Sequence, residues 1–213
     1  MTRAARIIWS DNNWDFPQGN ADYGVPVNDV NPPYKYGLEE FLFNQQLLDL
    51  NLGYLDCYRS NNIQGVENVV IFTIDPAGQR VVVGIMHEVE QLQNHETIDI
   101  WNQMNDANYI EQTVAPAFSG IETANAAAGT NVFLQCNYGL NENFLPQVQG
   151  VQPNGFFVNL RYRKIEIFHV GDERRLNLSQ FYPGINQRWN RLGKLYHVEN
   201  VPEVIEILND LFI

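Results

Sequence analysis

Cysteine is scarce in this 213-residue chain, which has only Cys57 and Cys136. Two cysteines cannot build a disulfide framework, and neither has a second cysteine or a histidine at metal-ligand spacing. A reducing cytoplasm is the expected home. Basic residues are also in short supply, with 13 Lys and Arg against 25 Asp and Glu and a net charge of −12. Spread evenly, that balance opposes a nucleic-acid partner. Charged residues make up only 18% and hydrophobic residues 45%, which excludes a disordered tail or a coiled coil. Apolar runs such as Val69-Val70-Ile71-Phe72 stop far short of the ~20 residues that span a bilayer. Arg3 and Arg6 near the start are not followed by an apolar core of about 7–15 residues, so no secretory signal is expected.

Catalytic motifs are missing too. None of Ser10, Ser60, Ser119 and Ser179 sits in a Gly-x-Ser-x-Gly elbow. Gly193-Lys194 lacks the upstream glycine of a phosphate loop, and no Gly-x-Gly-x-x-Gly occurs. No lysine follows an acid at the spacing of an Asp/Glu-x-Lys nuclease. His87, His95, His169 and His197 are scattered, without the His-Glu-x-x-His spacing of a zinc helix. The sequence therefore names no catalytic residue, no metal ligand and no cofactor.

The pattern that is present mixes strands and helices without regular βαβ alternation. Residues 17–33, rich in Pro, Gly, Asn and Asp, predict a long ordered loop. Leu38, Phe41, Leu42, Gln45 and Leu48 have helical spacing, and Tyr54–Tyr58 predicts a strand after Gly53. The β-branched run 67–74, the turn Asp75-Pro76-Ala77-Gly78 and the return 80–89 predict a hairpin. Gly84 inside its second strand predicts a bulge or a close backbone approach. Residues 96–115 predict a helix, which the Ala-rich stretch 117–128 resumes beyond Pro116. Strands are expected at 131–136, 155–162, 165–170 and 195–198, and Pro202 opens a terminal helix. The sum is one domain over residues 1–213, of α+β class, with strands curling into a small barrel flanked by about three helices.

Two compositional clusters carry function. The first 43 residues crowd Trp9, Trp14, Tyr23, Tyr34, Tyr36, Phe41 and Phe43 among amides and carboxylates. Flat aromatic walls beside polar groups suit an extruded nucleobase, whose ring stacks while its edge is read by hydrogen bonds. Phe41 and Leu42 are expected in the core, and Trp14, between Asn13 and Asp15, is expected in a pocket. The second cluster is basic. Residues 161–194 hold eight cations and three acids, +5 locally against −17 for the remainder. Arg161, Arg163, Lys164, Arg188, Arg191 and Lys194 are the candidate phosphate contacts. Balancing of acidic neighbours within the fold is the competing account.

Tyr36-Gly37-Leu38-Glu39-Glu40-Phe41-Leu42-Phe43 resembles the Gly-x-Glu-Glu-Trp-Leu-Phe signature of a prokaryotic family, with Phe41 where the family has tryptophan. That family is the amino-terminal specificity domain of modification-dependent HNH restriction endonucleases. Ser10–Trp14, Val83–Val89, Phe157–Tyr162 and Arg191–Tyr196 are similar to further blocks of it. The resemblance implies a PUA-like barrel, related to the EVE, YTH and ASCH readers, that grips a modified base in an aromatic cage. No HNH motif is present, so it implies a stand-alone reader or the reader part of a longer enzyme.

The leading expectation is a module that binds double-stranded DNA and flips out a modified base, such as 5-methylcytosine. Trp9, Trp14 and Tyr36 would stack on the base, and Ser10, Asp11 or Asn13 would contact its edge. Three other classes remain open: an RNA reader on the same barrel, a hydrolase using His87, Glu88 or Glu90, and a protein-interaction domain, which the acidic net charge suits.

Overall fold

The computed structural model describes residues 1–7, 9, 14, 42–43, 48–55, 57–58, 63–93, 95–97, 99–100, 103, 158–191 and 194–213. Within them lie strands β1 (Thr2–Ile7), β2 (Leu52–Gly53), β3 (Val66–Ile74), β4 (Arg80–Gln91), β5 (Leu160–Arg161), β6 (Lys164–Ile167) and β7 (Leu195–His197). Two single-turn helices, α1 (Leu178–Phe181) and α2 (Ile185–Arg188), precede β7, and a 3-10 turn (Val198–Asn200) leads into α3 (Pro202–Asp210). The class is α+β. Among the described residues no helix is long and apolar enough to cross a membrane.

The sheet is mixed. Its strands follow the order β2-β5-β4-β3-β1-β7, with β6 also on β4. β1 runs parallel to β3 and antiparallel to β7, and the other pairs are antiparallel. This corrects the expected closed barrel. Among the described residues the path is open, because its two ends are the short strands β2 and β7, paired with β5 and β1 and not with each other.

Both faces of the sheet are buried, which explains the near-continuous apolar run of β3. Val69 and Ile71 pack into one core and Val70 and Phe72 into the other. Ala5 and Ala4 of β1 divide in the same way. The first core contains Trp14, Leu42, Phe43, Leu55, Cys57, Tyr58, Leu160 and Tyr162. The second is covered by Leu178 of α1, Ile185 of α2, Trp189, and Val204 and Leu208 of α3. Each large apolar side chain so buried contributes about 1.5–3 kcal/mol.

Two bulges shape β4. Val69 pairs with Met86 and Glu67 with Val89, so Asn68 faces both His87 and Glu88. Glu88 takes a left-handed φ of 51°, and its N–H donates to Asn68 Oδ1 at 3.1 Å. The extra residue lets Met86 and Val89 enter the same core although they are three positions apart. A second register shift between Ile71 and Phe72 lies beside Gly84, whose added Cβ would stand 2.6 Å from the Glu166 carbonyl oxygen. Bulge and close approach coincide there, as the sequence predicts.

The hairpin and the Pro202 helix are where the sequence puts them. The strand expected at Tyr54–Tyr58 is displaced to Leu52–Gly53, and Cys57 and Tyr58 are helical. Gly53 belongs to the strand because Leu42 and Leu160 press on it, with Leu42 Cδ1 2.6 Å from where a Cβ would be. Downstream, Asn159 captures Leu55, and Tyr58 N–H donates to Leu55 O at 2.9 Å, closing a turn. Of the strand expected at 155–162, only Leu160–Arg161 is strand among the described residues. The strand expected at 165–170 starts at Lys164 and stops at Ile167, because a turn closed by Asp172 N–H on His169 O follows, with Gly171 left-handed. The loop 17–33, most of the helices expected at 38–50 and 96–115, the stretch 117–128 and the strand 131–136 lie outside the described residues.

Candidate nucleic-acid interface

The six candidate phosphate cations fall into two groups with different surroundings. Arg161 lies on β5, Lys164 on β6 and Arg163 between them, and the two strands keep one register along β4, from Gln91 opposite Leu160 to Gly84 opposite Ile167. β4 is rich in acids where it faces them. Arg163 Nε lies 2.7 Å from Glu88 Oε1, and Arg161 reaches Glu90 at 3.9 Å and Glu96 at 3.5 Å. Lys164 Nζ donates to Glu166 Oε1 at 2.9 Å. Arg174 adds bonds to Glu166 and Asp172. Four cations thus meet five carboxylates, so the positive charge of this group is neutralised in space.

Arg188, Arg191 and Lys194 are different. All three are exposed, and none forms an ion pair with a described carboxylate. Arg188 sits at the last turn of α2, donates Nη1 to Asn200 O at 3.1 Å and lies 5.7 Å from the Tyr182 ring centre. Lys194 Nζ lies 5.2 Å above the Tyr196 ring. Arg191 is fixed through its backbone: its N–H donates to Tyr196 Oη at 2.7 Å, and that hydroxyl donates to Arg191 O at 3.1 Å. Below them, Tyr196 stacks on the buried Trp189 at 5.5 Å, and both rings meet Phe72.

A buried guanidinium organises this end of the sheet, and no local pattern in the sequence signals it. Arg80 is 6% exposed and donates to three carbonyls: Trp189 at 2.9 Å, Asn186 at 2.6 Å and Gly78 at 2.5 Å. The first two oxygens lie at the C-terminal end of α2, where a cation is favourable. Burial, and then the nearby Arg6, push its pKa down. Arg6 in turn donates to Asn190 O at 2.8 Å. Two further cations therefore stand beside the three exposed ones.

The candidate base pocket is only partly visible. Ser10, Asp11, Asn13 and Tyr36 lie outside the described residues, and Trp9 is half-buried. Trp14 is 2% exposed and packs edge-on against Phe43, with ring centres 5.2 Å apart, inside the first core. That corrects the expected open stacking wall: the polar neighbours of Trp14 suggested a loop, but its indole is core.

One concavity was not anticipated. A cleft of about 610 Å³ opens between β6, the 173–176 segment and the end of α3, lined by His87, Lys164, Glu166, Arg174, Ile207 and Phe212 among others. Its polar wall converges on Glu166, which accepts from Lys164, from Arg174 at 2.7 Å and from His87 Nε2 at 3.1 Å. Those hydrogen bonds, Lys164 first, hold the Glu166 carboxyl down to about 2. Edge-on contact with Phe212 at 5.3 Å fixes the His87 ring. Among the described residues no three His, Cys, Asp or Glu side chains gather as a metal site. Compared with known protein families, with curated proteins and with solved structures, the chain matches none.

Proposed function

We propose that this chain is a non-catalytic DNA reader. It would bind a duplex carrying a modified base, such as 5-methylcytosine, in a prokaryotic cytoplasm, alone or beside a nuclease domain. The observation that carries the reading is the trio Arg188, Arg191 and Lys194. In a chain of net charge −12 they keep their charge free of described carboxylates, on an aromatic base of Tyr182, Trp189 and Tyr196. Exposed cations held in a fixed frame are what phosphate contacts require. Arg161, Arg163 and Lys164 take a secondary part. Their pairs are half-exposed, and such pairs are worth only about 0–1 kcal/mol, so a phosphate can displace the carboxylate at small cost.

Gel-shift titration of modified against unmodified duplex at several salt concentrations tests the reading. The modified duplex is expected to bind more tightly, and affinity is expected to fall with salt. Charge removal at Arg188, Arg191 or Lys194 should lower the slope of log K against log salt by about 0.9 for each phosphate that is no longer neutralised. Equal affinity for both duplexes removes the reader claim, and a flat salt response removes the phosphate claim.

A further inference from the structure

The cleft of about 610 Å³ beside β6 has the size of a small-ligand site, and its walls divide by chemistry. Leu176, Ile207, Leu211 and Phe212 supply the apolar part. All four stay half-buried, which leaves apolar surface in contact with water. The charged side chains on the walls are Lys164 and Arg174 against Glu166, Glu173 and Asp210. Carboxylates therefore outnumber cations there.

The two cations are already engaged. Arg174 gives Nη1 to Glu166 at 2.7 Å, and Nη2 and Nε to Asp172 at 3.2 and 3.3 Å. Lys164 Nζ donates to the other oxygen of Glu166, so an entering anion would have to displace that carboxylate. Glu173 and Asp210 differ: both are exposed, and neither forms an ion pair with a described cation. Asp210 is also the last residue of α3, whose dipole puts partial negative charge at that end, and no basic residue stands in the last turn. His87 adds an acceptor to these walls. A carboxylate only accepts, so His87 Nε2 donates to Glu166 at 3.1 Å. Nδ1 of the neutral ring is then an acceptor with no partner among the described residues.

We infer that this cleft binds a small organic cation, a primary ammonium carried on an aryl or alkyl body. The ammonium would lie against the Asp210 carboxylate at the end of α3, with Glu173 and His87 Nδ1 as the further acceptors on the walls. The body would cover Ile207, Leu211 and Phe212, and its burial supplies the affinity. The unpaired carboxylates supply the selection for positive charge. A net charge of −12 draws cations toward the molecule as a whole. None of Arg188, Arg191 and Lys194 lines the cleft, so the site stands whether or not the chain binds DNA.

Calorimetric titration of the full chain with phenethylammonium, phenethyl alcohol and hydrocinnamate tests it, because the three share a body and differ in charge. The ammonium is expected to bind with a Kd of about 1 mM or tighter, the alcohol about tenfold more weakly, and the carboxylate not measurably. Asp210→Asn and Glu173→Gln should each weaken the ammonium about threefold and leave the alcohol unchanged. Both side chains are exposed, so neither change endangers the fold. Asp210→Asn should hold or raise the thermal midpoint, since it removes a negative charge from the negative end of α3. In the proton NMR spectrum the His87 and Phe212 ring signals should shift along the same titration curve. No binding of the ammonium at about 10 mM overturns the site. So does binding of the alcohol or the carboxylate as tight as that of the ammonium. Ammonium binding that leaves both ring signals in place, or that both variants leave unchanged, puts the cation elsewhere and overturns it as well.

Discussion

Arg163 on the kink between β5 and β6 grips Glu88, the one residue of β4 whose backbone is left-handed, with Nε 2.7 Å from Oε1. The contact spans the point where pairing between β4 and its neighbour is interrupted, and the bulge there sets which core Val89 enters. Two effects oppose each other at Glu88. The left-handed conformation costs a residue with a Cβ roughly 1–2 kcal/mol, whereas an ion pair this exposed returns about 0–1 kcal/mol. Glu88→Gly is therefore expected to hold or raise stability, and Glu88→Ala to fall about 1 kcal/mol below it. Urea unfolding of the two variants measures the difference. Equal midpoints would show that the backbone at position 88 relaxes freely.

Asn159 makes a second junction, between β5 and the segment that leads out of β2. Its Oδ1 accepts from Leu55 N at 3.0 Å and its Nδ2 donates to Leu55 O at 2.8 Å. Leu55 is fully buried, so no bulk water can replace the amide. Asn159→Ala leaves a backbone donor and an acceptor unmet, at about 1–3 kcal/mol for each group. A loss of about 2–6 kcal/mol in urea unfolding is expected. A loss below about 1 kcal/mol would mean that an internal water takes over both bonds.

How much of this the residues announced depends on whether the signal was local. The β3–β4 hairpin was legible because burial on both faces writes an unbroken β-branched run. The α3 helix was legible because Pro202 starts it and Val204 and Leu208 repeat at four residues. The single turns α1 and α2 are too short for any periodicity to register, and the parallel pairing of β1 leaves no mark beyond small alanines at positions 4 and 5. The pairing of Arg161 and Arg163 was not legible for a related reason. Charge counted along 161–194 omits Glu88, Glu90 and Glu96, which the hairpin's register and the segment after it bring opposite Arg161 and Arg163. Trp14 misled because its polar neighbours are sequence context, while its environment is set by Phe43, far along the chain.

The acid limb of stability should carry a contribution from Glu166. Donors from Lys164, then Arg174, then His87 stabilise its carboxylate and hold it at about 2 against an ordinary 4.5. A carboxyl whose pKa is depressed on folding contributes stability above its unfolded value and loses it as pH falls toward the folded one. The Glu166 contribution should therefore be whole above about pH 4.5 and decline toward pH 2. Glu166→Gln cannot ionise, so it should lower the thermal midpoint near neutrality and flatten the acid limb over that window. Because the side chain is partly open to solvent, the effect is screened and should shrink with salt. Melting curves of both proteins from about pH 2 to about pH 6 are the measurement; parallel acid limbs would remove Glu166 as their source.

Gly84 ties the two halves of the sheet at their closest point. β6 crosses β4 there so tightly that a Cβ on residue 84 would sit 2.6 Å from the Glu166 carbonyl oxygen. The obstacle is backbone, so no rotamer change relieves it, and the strands must separate. That separation would strain the neighbouring pairs of Ile85 with Glu166 and Met86 with Ile165. Ile85 and Met86 lie in opposite cores, so both layers would feel the shift. Gly84→Ala, elsewhere a mild change, is expected to cost at least about 1–3 kcal/mol, the range for forcing extra atoms into a packed site. The same variant should raise hydrogen exchange at Ile85 and Ile167 while leaving α3 protected. A Gly84→Ala protein with unchanged stability and unchanged exchange in β4 and β6 would mean that the strands do not approach this closely.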